Sequence, residues 1–114
     1  MTLADPRFAA EAVTTTGKII PFDDVGCLAA FVAAESVSRE QIASLWVHDF
    51  SLSNPMLEAG SATFLLSDSL HTPMDYHVVA LRPGGTADSL RAATGGQLLS
   101  WEQVLRKVGE LPSR

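Results

Sequence analysis

The chain has 114 residues, which is enough for one domain with a modest hydrophobic core. Hydrophobic residues make up 46% and charged residues 18%, a composition that is typical of a globular protein and argues against disorder. The net charge of −5 and the scarcity of lysine (Lys18 and Lys107) leave no basic stripe to neutralise phosphates, which argues against a nucleic-acid partner.

The cysteine content and the first residues of the chain bear on the cellular compartment in which the protein works. Cys27 is the single cysteine, so no internal disulfide forms. A lone cysteine fits a reducing compartment, or an exported protein that needs a free thiol or holds a metal. Residues 1–6 have neither the basic nor the apolar segment of a signal peptide. Composition therefore leaves open a cytosolic protein and a chain that begins after a removed leader.

The hydrophobic pattern predicts alternating strands and helices. In chain order these are strands at 8–14 and 18–22, a helix at 23–34, a short helical turn within 36–42, strands at 45–50, 62–66 and 76–81, a helix at 86–94, a strand at 98–99 and a last helix from 101. Loops are predicted at 51–60 and 67–73. The strand at 76–81 is predicted to be central in its sheet, because it is continuously apolar after His77.

Helix ends and buried faces are also predicted. Asp23 and Asp24 are expected in the first turn of the first helix, where acids complement the helix dipole. Ser100 and Gln103 match a capping box at the start of the last helix. Helical spacing predicts two buried stripes: Val25, Leu28, Ala29 and Val32 in the first helix, and Trp101, Val104, Leu105 and Val108 in the last.

A faint internal repeat indicates the architecture. Residues 17–25 align without gaps with residues 96–104, and each copy predicts a turn, a short strand and the start of a helix. Two copies are too few for a solenoid. They predict an α+β fold: a single compact, pseudo-twofold domain over 1–114, with two related strand–strand–helix units at roughly 5–43 and 44–111. The hairpins imply antiparallel sheets.

One short motif carries candidate chemistry. The sequence lacks a glycine-rich phosphate loop, a CxxC pair, an HExxH motif and a nucleophile elbow. Instead, Thr72-Pro73-Met74 is flanked by His71 and His77. Thioether and imidazole suit copper, the thioether especially copper(I), and proline pre-shapes the turn that carries Met74.

Other candidate residues have plainer interpretations. Cys27 lies beside the buried stripe of a helix, so taken alone it is more readily a core cysteine. His48 is interpreted as a hydrogen-bonded histidine on a strand. Met56 follows Pro55, as Met74 follows Pro73, and either a hydrophobic plug or a ligand role fits it.

Several short motifs recur in a characteristic order along nearly the whole chain. They lie at 5–10, 20–24, 27–28, 48–50, 57–62, 71–74 and 95–102. The Thr-Pro-Met and Gly-Gly…Trp-Glu elements among them are the most specific. In these motifs the chain resembles the NosL family, the copper-binding accessory lipoproteins of nitrous oxide reductase.

The resemblance implies both a fold and a function. The fold is two related strand–strand–helix units, similar to the core of organomercury lyase. The function is that of a periplasmic copper(I) carrier, not an enzyme, which delivers copper to a partner such as nitrous oxide reductase and touches the membrane only through an N-terminal lipid anchor. The implied ligands are Met74 as the central soft donor, His77 and His71 as nitrogen donors, and Cys27 and Met1 as further sulfur donors.

The chain departs from the family pattern at three places. The lipid-attachment cysteine and leader are missing, and Met1 alone matches a Cys-Gly-Met segment, so the chain is expected to begin within that segment. After Met74 the family has small, glycine-rich residues, whereas this chain has Asp75-Tyr76-His77. His77 is therefore either an added ligand or a simple substitution.

Two other functions stay open at this point. The first is a metal-free interaction or structural subunit of a membrane-associated complex, suggested by the missing Cys-Gly segment. The second is an enzyme that uses Cys27 with Asp23 or Asp24, by analogy to carbon–mercury bond cleavage. It ranks last, because one cysteine is fewer than a thiol relay on a soft metal needs.

Overall fold

A computed structural model describes residues 8–35, 38–50, 56–72 and 76–109. Within these ranges the regular elements are β1 (Ala10–Thr14), β2 (Ile19–Phe22), α1 (Val25–Ala33), β3 (Ile42–Val47), β4 (Leu57–Glu58), β5 (Thr63–Leu66), β6 (Val78–Leu81), α2 (Gly85–Thr94), β7 (Gln97–Leu99) and α3 (Trp101–Gly109). The strands form two sheets with antiparallel pairing, which confirms the predicted α+β class.

The first sheet has the order β2-β1-β3-β4 and one face in the core. Ala10 and Ala12 of β1 are buried, whereas Glu11 between them is only half-buried, as expected for alternating side chains. The predicted turn at 15–17 joins β1 to β2. β3 runs from Ile42 to Val47 instead of over 45–50, and the loop predicted at 51–60 contains the two-residue strand β4.

The second sheet has the order β6-β5-β7 and is covered on both faces. Phe64 of β5 packs towards α1 and α3, and Leu65 packs towards α2. The predicted central position of the strand at 76–81 is wrong, because β6 lies at the edge of the described sheet. On its outer edge, among the described residues, Ala80 forms one isolated parallel bridge with Asp49. β6 is continuously apolar because both of its faces are buried, not because strands flank both of its edges.

The helices begin and end at local sequence signals. α1 begins at Val25, and Asp24 is its N-cap, so Asp23 and Asp24 precede the first turn in which they were predicted. The capping box of α3 is confirmed: the Ser100 amide donates to Gln103 Oε1 at 2.8 Å, and the Gln103 amide donates to Ser100 Oγ at 3.3 Å. α2 ends at Gly95, whose left-handed φ of 70° suits glycine.

The main core lies between the two sheets and the pair α1 and α3. The two predicted stripes are buried in it, as are residues of β1, β3, β5, β6 and β7. Burial of a side chain such as Leu28, which is fully inaccessible, stabilises the fold by about 1.5–3 kcal/mol. α1 and α3 therefore depend on each other for burial of their apolar faces.

The predicted internal units are visible only in part. In each sheet an antiparallel strand pair leads into a helix, β1–β2 into α1 and β5–β7 into α3. The twofold relation and the division at 43/44 stay predictions. Among the described residues, no helix has the length and apolar character needed to cross a bilayer.

Candidate metal site

The loop between β5 and β6 is closed by the side chain of Thr72. Thr72 is 4% exposed, and its Oγ1 accepts hydrogen bonds from the amides of Tyr76 at 3.1 Å and His77 at 3.2 Å. A further bond, from the Ser67 amide to the His77 carbonyl at 3.0 Å, joins the two sides of the loop. The described residues on either side of segment 73–75 are thus held together.

His77 is fixed in one orientation at the end of this loop. Its Nδ1 lies 2.6 Å from the carbonyl oxygen of Leu70. A carbonyl oxygen only accepts, so Nδ1 carries the proton and donates, and Nε2 keeps a lone pair in the neutral ring. This is the arrangement by which a backbone carbonyl orients a metal-binding histidine. The φ of 62° places His77 in the left-handed region, which histidine tolerates better than most residues do.

Tyr76 connects the loop to α1. The Tyr76 side chain lies directly on Gly26, and a Cβ added at Gly26 would overlap the ring and Cβ of Tyr76. Tyr76 is half-buried and packs against the main core. Gly26 immediately precedes Cys27 in the first turn of α1, so the end of the loop rests on the helical turn that carries Cys27.

Cys27 is half-buried in that first turn. Its amide donates to Asp24 Oδ1 at 2.8 Å, the N-cap hydrogen bond of α1. Burial raises the pKa of the Cys27 thiol, and the carboxylates of Asp24 and Asp23 raise it further. The thiol is therefore protonated at neutral pH, and a metal that binds it as thiolate must displace a proton.

Asp23 adds negative charge beside the thiol. Its Oδ1 is buried and accepts no hydrogen bond within the described part of the chain. Buried polar atoms are ordinarily paired, so this oxygen favours a cation or a donor next to it. From the sequence, Asp23 is predicted only as a helix-terminus residue and as a partner of Cys27 in the enzyme hypothesis.

The predicted ligands are brought together only in part. Tyr76, the neighbour of His77, lies on Gly26, the neighbour of Cys27, whereas the His71 side chain is exposed. In ranges 8–35, 38–50, 56–72 and 76–109 no three His, Cys, Asp or Glu side chains converge on a common point. Met74 and Met1 lie outside the described residues, and their roles stay predictions.

Other polar features lie apart from these residues. His48 Nδ1 lies 3.1 Å from the Asp49 carbonyl, and its amide donates to Ala9, as expected for a hydrogen-bonded histidine. Met56 is half-buried, which leaves both of its interpretations open. An open cavity of about 350 Å³ is lined by residues 66–69 and 94–97 and contains none of the candidate ligands.

Two contacts were not predicted from the sequence: the two hydrogen bonds to Thr72 Oγ1 and the packing of Tyr76 on Gly26. The sequence contains a weak signal for the contact between Tyr76 and Gly26. Glycine inside a helix costs about 1 kcal/mol relative to alanine, so Gly26 called for a packing reason. Nothing in the sequence identified Tyr76 as that reason, because the two residues are fifty positions apart.

The chain belongs to the NosL family, whose sequence profile matches residues 1–108. The fold is similar to the crystal structure of the copper chaperone NosL from Shewanella denitrificans, with a TM-score of 0.73 and 22% sequence identity. The matched part covers 83% of this chain and 76% of that chain. No curated protein sequence matches the chain significantly.

Proposed function

We propose that this protein is a copper chaperone that carries copper(I) in the periplasm. The observation that carries the proposal is the imidazole of His77, held through Nδ1 so that the lone pair of the neutral ring is on Nε2, at the end of the loop that contains Met74. Membership of the NosL family and the fold of a copper chaperone support the same function.

The ligand set follows from donor chemistry. Met74 is the central thioether, and His77 supplies Nε2. Cys27 is the next donor, because its helical turn contacts the loop through Tyr76. His71 and Met1 complete the set of candidates. Copper(I) prefers soft donors such as thioether and thiolate.

The same features favour a carrier over an enzyme. A nucleophilic cysteine needs a lowered pKa, whereas burial raises the pKa of the Cys27 thiol. A half-buried site on a loop also permits ligand exchange with a second protein. The receiving partner is a copper-dependent periplasmic enzyme or membrane-associated complex such as nitrous oxide reductase, and the full-length protein is held at the membrane by an N-terminal lipid.

An anaerobic copper(I) titration against a colorimetric chelator tests the proposal. We expect one tight equivalent per chain, strongly weakened in Met74→Leu. Met56→Leu makes the same change after another proline and tests the two interpretations of Met56: parent-like binding is expected for a hydrophobic plug, and weaker binding for a ligand. Equal affinities of parent and Met74→Leu would remove Met74 from the site. Absence of binding by the parent would contradict the chaperone and favour the metal-free interaction subunit.

Delivery is tested separately by mixing copper-loaded protein with copper-free nitrous oxide reductase. Transfer is expected to restore the copper content of the enzyme faster than free chelated copper does. Equal rates with and without the protein would contradict a delivery role.

A further inference from the structure

The hydroxyl of Thr72 has an unusual environment for a loop threonine. The side chain is 4% exposed, and one oxygen atom accepts two successive backbone amides, those of Tyr76 and His77. Burial of such an oxygen without partners costs free energy, and here both partners come from the far side of the loop. The hydroxyl thus joins residue 72 to residues 76 and 77.

A second threonine provides a comparison within the same chain. Thr14 Oγ1 accepts the amide of Lys18, four residues later, at 3.0 Å, and closes the turn between β1 and β2. Thr72 Oγ1 accepts the amide of Tyr76, also four residues later, at 3.1 Å. The two differ in that Thr14 closes an exposed hairpin turn, whereas Thr72 closes the loop that carries the candidate ligands.

The bonds to Thr72 act on the orientation of His77. The His77 amide donates to Thr72, its carbonyl accepts from Ser67, and its Nδ1 donates to Leu70. These three bonds hold a backbone with a φ of 62° that histidine adopts infrequently. Removal of the first bond frees the amide and lets the backbone leave this conformation, which turns Nε2 away from its present direction.

We propose that Thr72 is a positioning residue for copper binding, which acts through the amides of Tyr76 and His77 and touches no metal itself. The inference rests on the proposed copper function. A histidine that is held in place before the ion arrives loses less conformational entropy on binding, so loss of the Thr72 hydroxyl weakens affinity although the His77 imidazole remains. Partners of this kind around a metal site typically contribute about 10- to 100-fold in affinity.

The test compares Thr72→Val, which keeps the shape and removes the oxygen, with Thr72→Ser, which keeps the oxygen. Thr14→Val is the matched control for loss of a turn-closing hydroxyl elsewhere. Copper(I) affinity is expected to fall about 10- to 100-fold in Thr72→Val and to stay near the parent value in the other two variants. Hydrogen exchange of the copper-free proteins should show protected Tyr76 and His77 amides in the parent and in Thr72→Ser, and fast exchange in Thr72→Val.

Several outcomes would overturn the inference. Parent-like copper affinity in Thr72→Val would overturn it and leave the chaperone function intact, as would an equal loss of affinity in Thr14→Val. Fast exchange of the Tyr76 and His77 amides in the parent would show that the hydroxyl does not hold them, even if Thr72→Val failed to fold. No copper binding by the parent would instead contradict the proposed function, and this inference with it.

Discussion

At the scale of single residues, His77 and Cys27 differ in how their chemistry is set. A hydrogen bond of 2.6 Å to the Leu70 carbonyl fixes the tautomer of His77. Burial and two nearby carboxylates keep the Cys27 thiol protonated. The first effect leaves the lone pair of the neutral ring on Nε2, and the second means that a thiolate forms at Cys27 only with loss of a proton. Both residues were predicted as candidates, but neither environment was evident from the sequence.

Replacement of His77 tests the nitrogen donor. In His77→Asn the amide side chain tolerates the left-handed φ, so the backbone is preserved while Nε2 is lost. We expect copper(I) affinity to fall at least about tenfold, equivalent to about 1.4 kcal/mol, in the chelator competition. His71→Asn removes the other candidate nitrogen donor, an exposed imidazole, and is expected to lower the affinity less. A larger loss in His71→Asn than in His77→Asn would reverse the assignment.

The raised pKa of Cys27 predicts a pH effect on stability without metal. The folded state holds the thiol proton more tightly than the unfolded chain does, where the pKa is about 8.5. The contribution to stability is therefore complete below about pH 8.5 and is lost as pH rises through the higher folded pKa. Urea unfolding of reduced, copper-free parent and Cys27→Ala should show this alkaline loss in the parent alone. Parallel pH profiles of the two proteins would contradict the prediction.

At the scale of elements, α1 depends on a close contact and α3 on its cap. The turn of α1 that carries Cys27 accepts the side chain of Tyr76 only because residue 26 has no Cβ. α3 instead starts with reciprocal hydrogen bonds between Ser100 and Gln103, which are local in sequence. The cap was therefore predictable from spacing, whereas the contact was not.

In the substitution Gly26→Ala, helix propensity and packing change stability in opposite directions. Propensity alone predicts stabilisation by about 1 kcal/mol. The new Cβ overlaps Tyr76, so we expect destabilisation by about 1–3 kcal/mol, as for an overpacked core, and weaker copper binding because the loop shifts. Gly85→Ala in the first turn of α2 is the control, since a Cβ there meets nothing within 4 Å. Urea unfolding measures both, and a stabilised Gly26→Ala would show that Tyr76 moves at no cost.

Ser100→Ala separates stability from copper binding. The variant removes the acceptor of the Gln103 amide and should lower the free energy of unfolding by about 0.5–2 kcal/mol. α3 carries no candidate ligand, so copper affinity should equal that of the parent. Denaturation and the chelator titration measure the two quantities. A marked drop in affinity would mean that stability of the whole domain, not the loop, governs binding.

At the scale of the whole molecule, two sheets and the pair α1 and α3 bring distant segments to one place. The loop that ends at His77 precedes β6 of the second sheet, whereas Cys27 belongs to α1, which connects β2 and β3 of the first sheet. Because α1 packs against both sheets, it holds these two segments in a fixed position relative to each other. The candidate site therefore spans both halves of the chain and requires the complete fold.

Copper should consequently stabilise the folded protein as a whole. A ligand that binds only the native state adds about 2.7 kcal/mol at a free concentration of 100 times Kd. Thermal unfolding with buffered copper(I) should show a rise in Tm for the parent and Met56→Leu, and a much smaller rise for Met74→Leu. An identical rise in Met74→Leu would indicate that the ion binds elsewhere.

The sequence by itself determined features that depend on neighbouring residues. The helical stripes, the turn before β2, the capping box at Ser100 and the glycine that ends α2 are local signals, because side-chain periodicity and backbone preferences act over a few positions. The order of family motifs also identified the Thr-Pro-Met segment and its candidate ligands. These predictions placed α1, α2 and α3 to within two residues, whereas a short 3-10 helix at Ala59–Ser61 was not predicted.

Only the tertiary structure decided what depends on residues far apart in the chain. The apolar pattern of β6 is the same for an edge strand with two covered faces as for a central strand, so its position needed the packed sheet. The contact of Tyr76 with Gly26, the bond from His77 to Leu70 and the burial that raises the pKa of Cys27 likewise arise from packing. The sequence shows which candidate donor side chains the chain contains. Their orientation and protonation are set by neighbouring residues that the fold brings together.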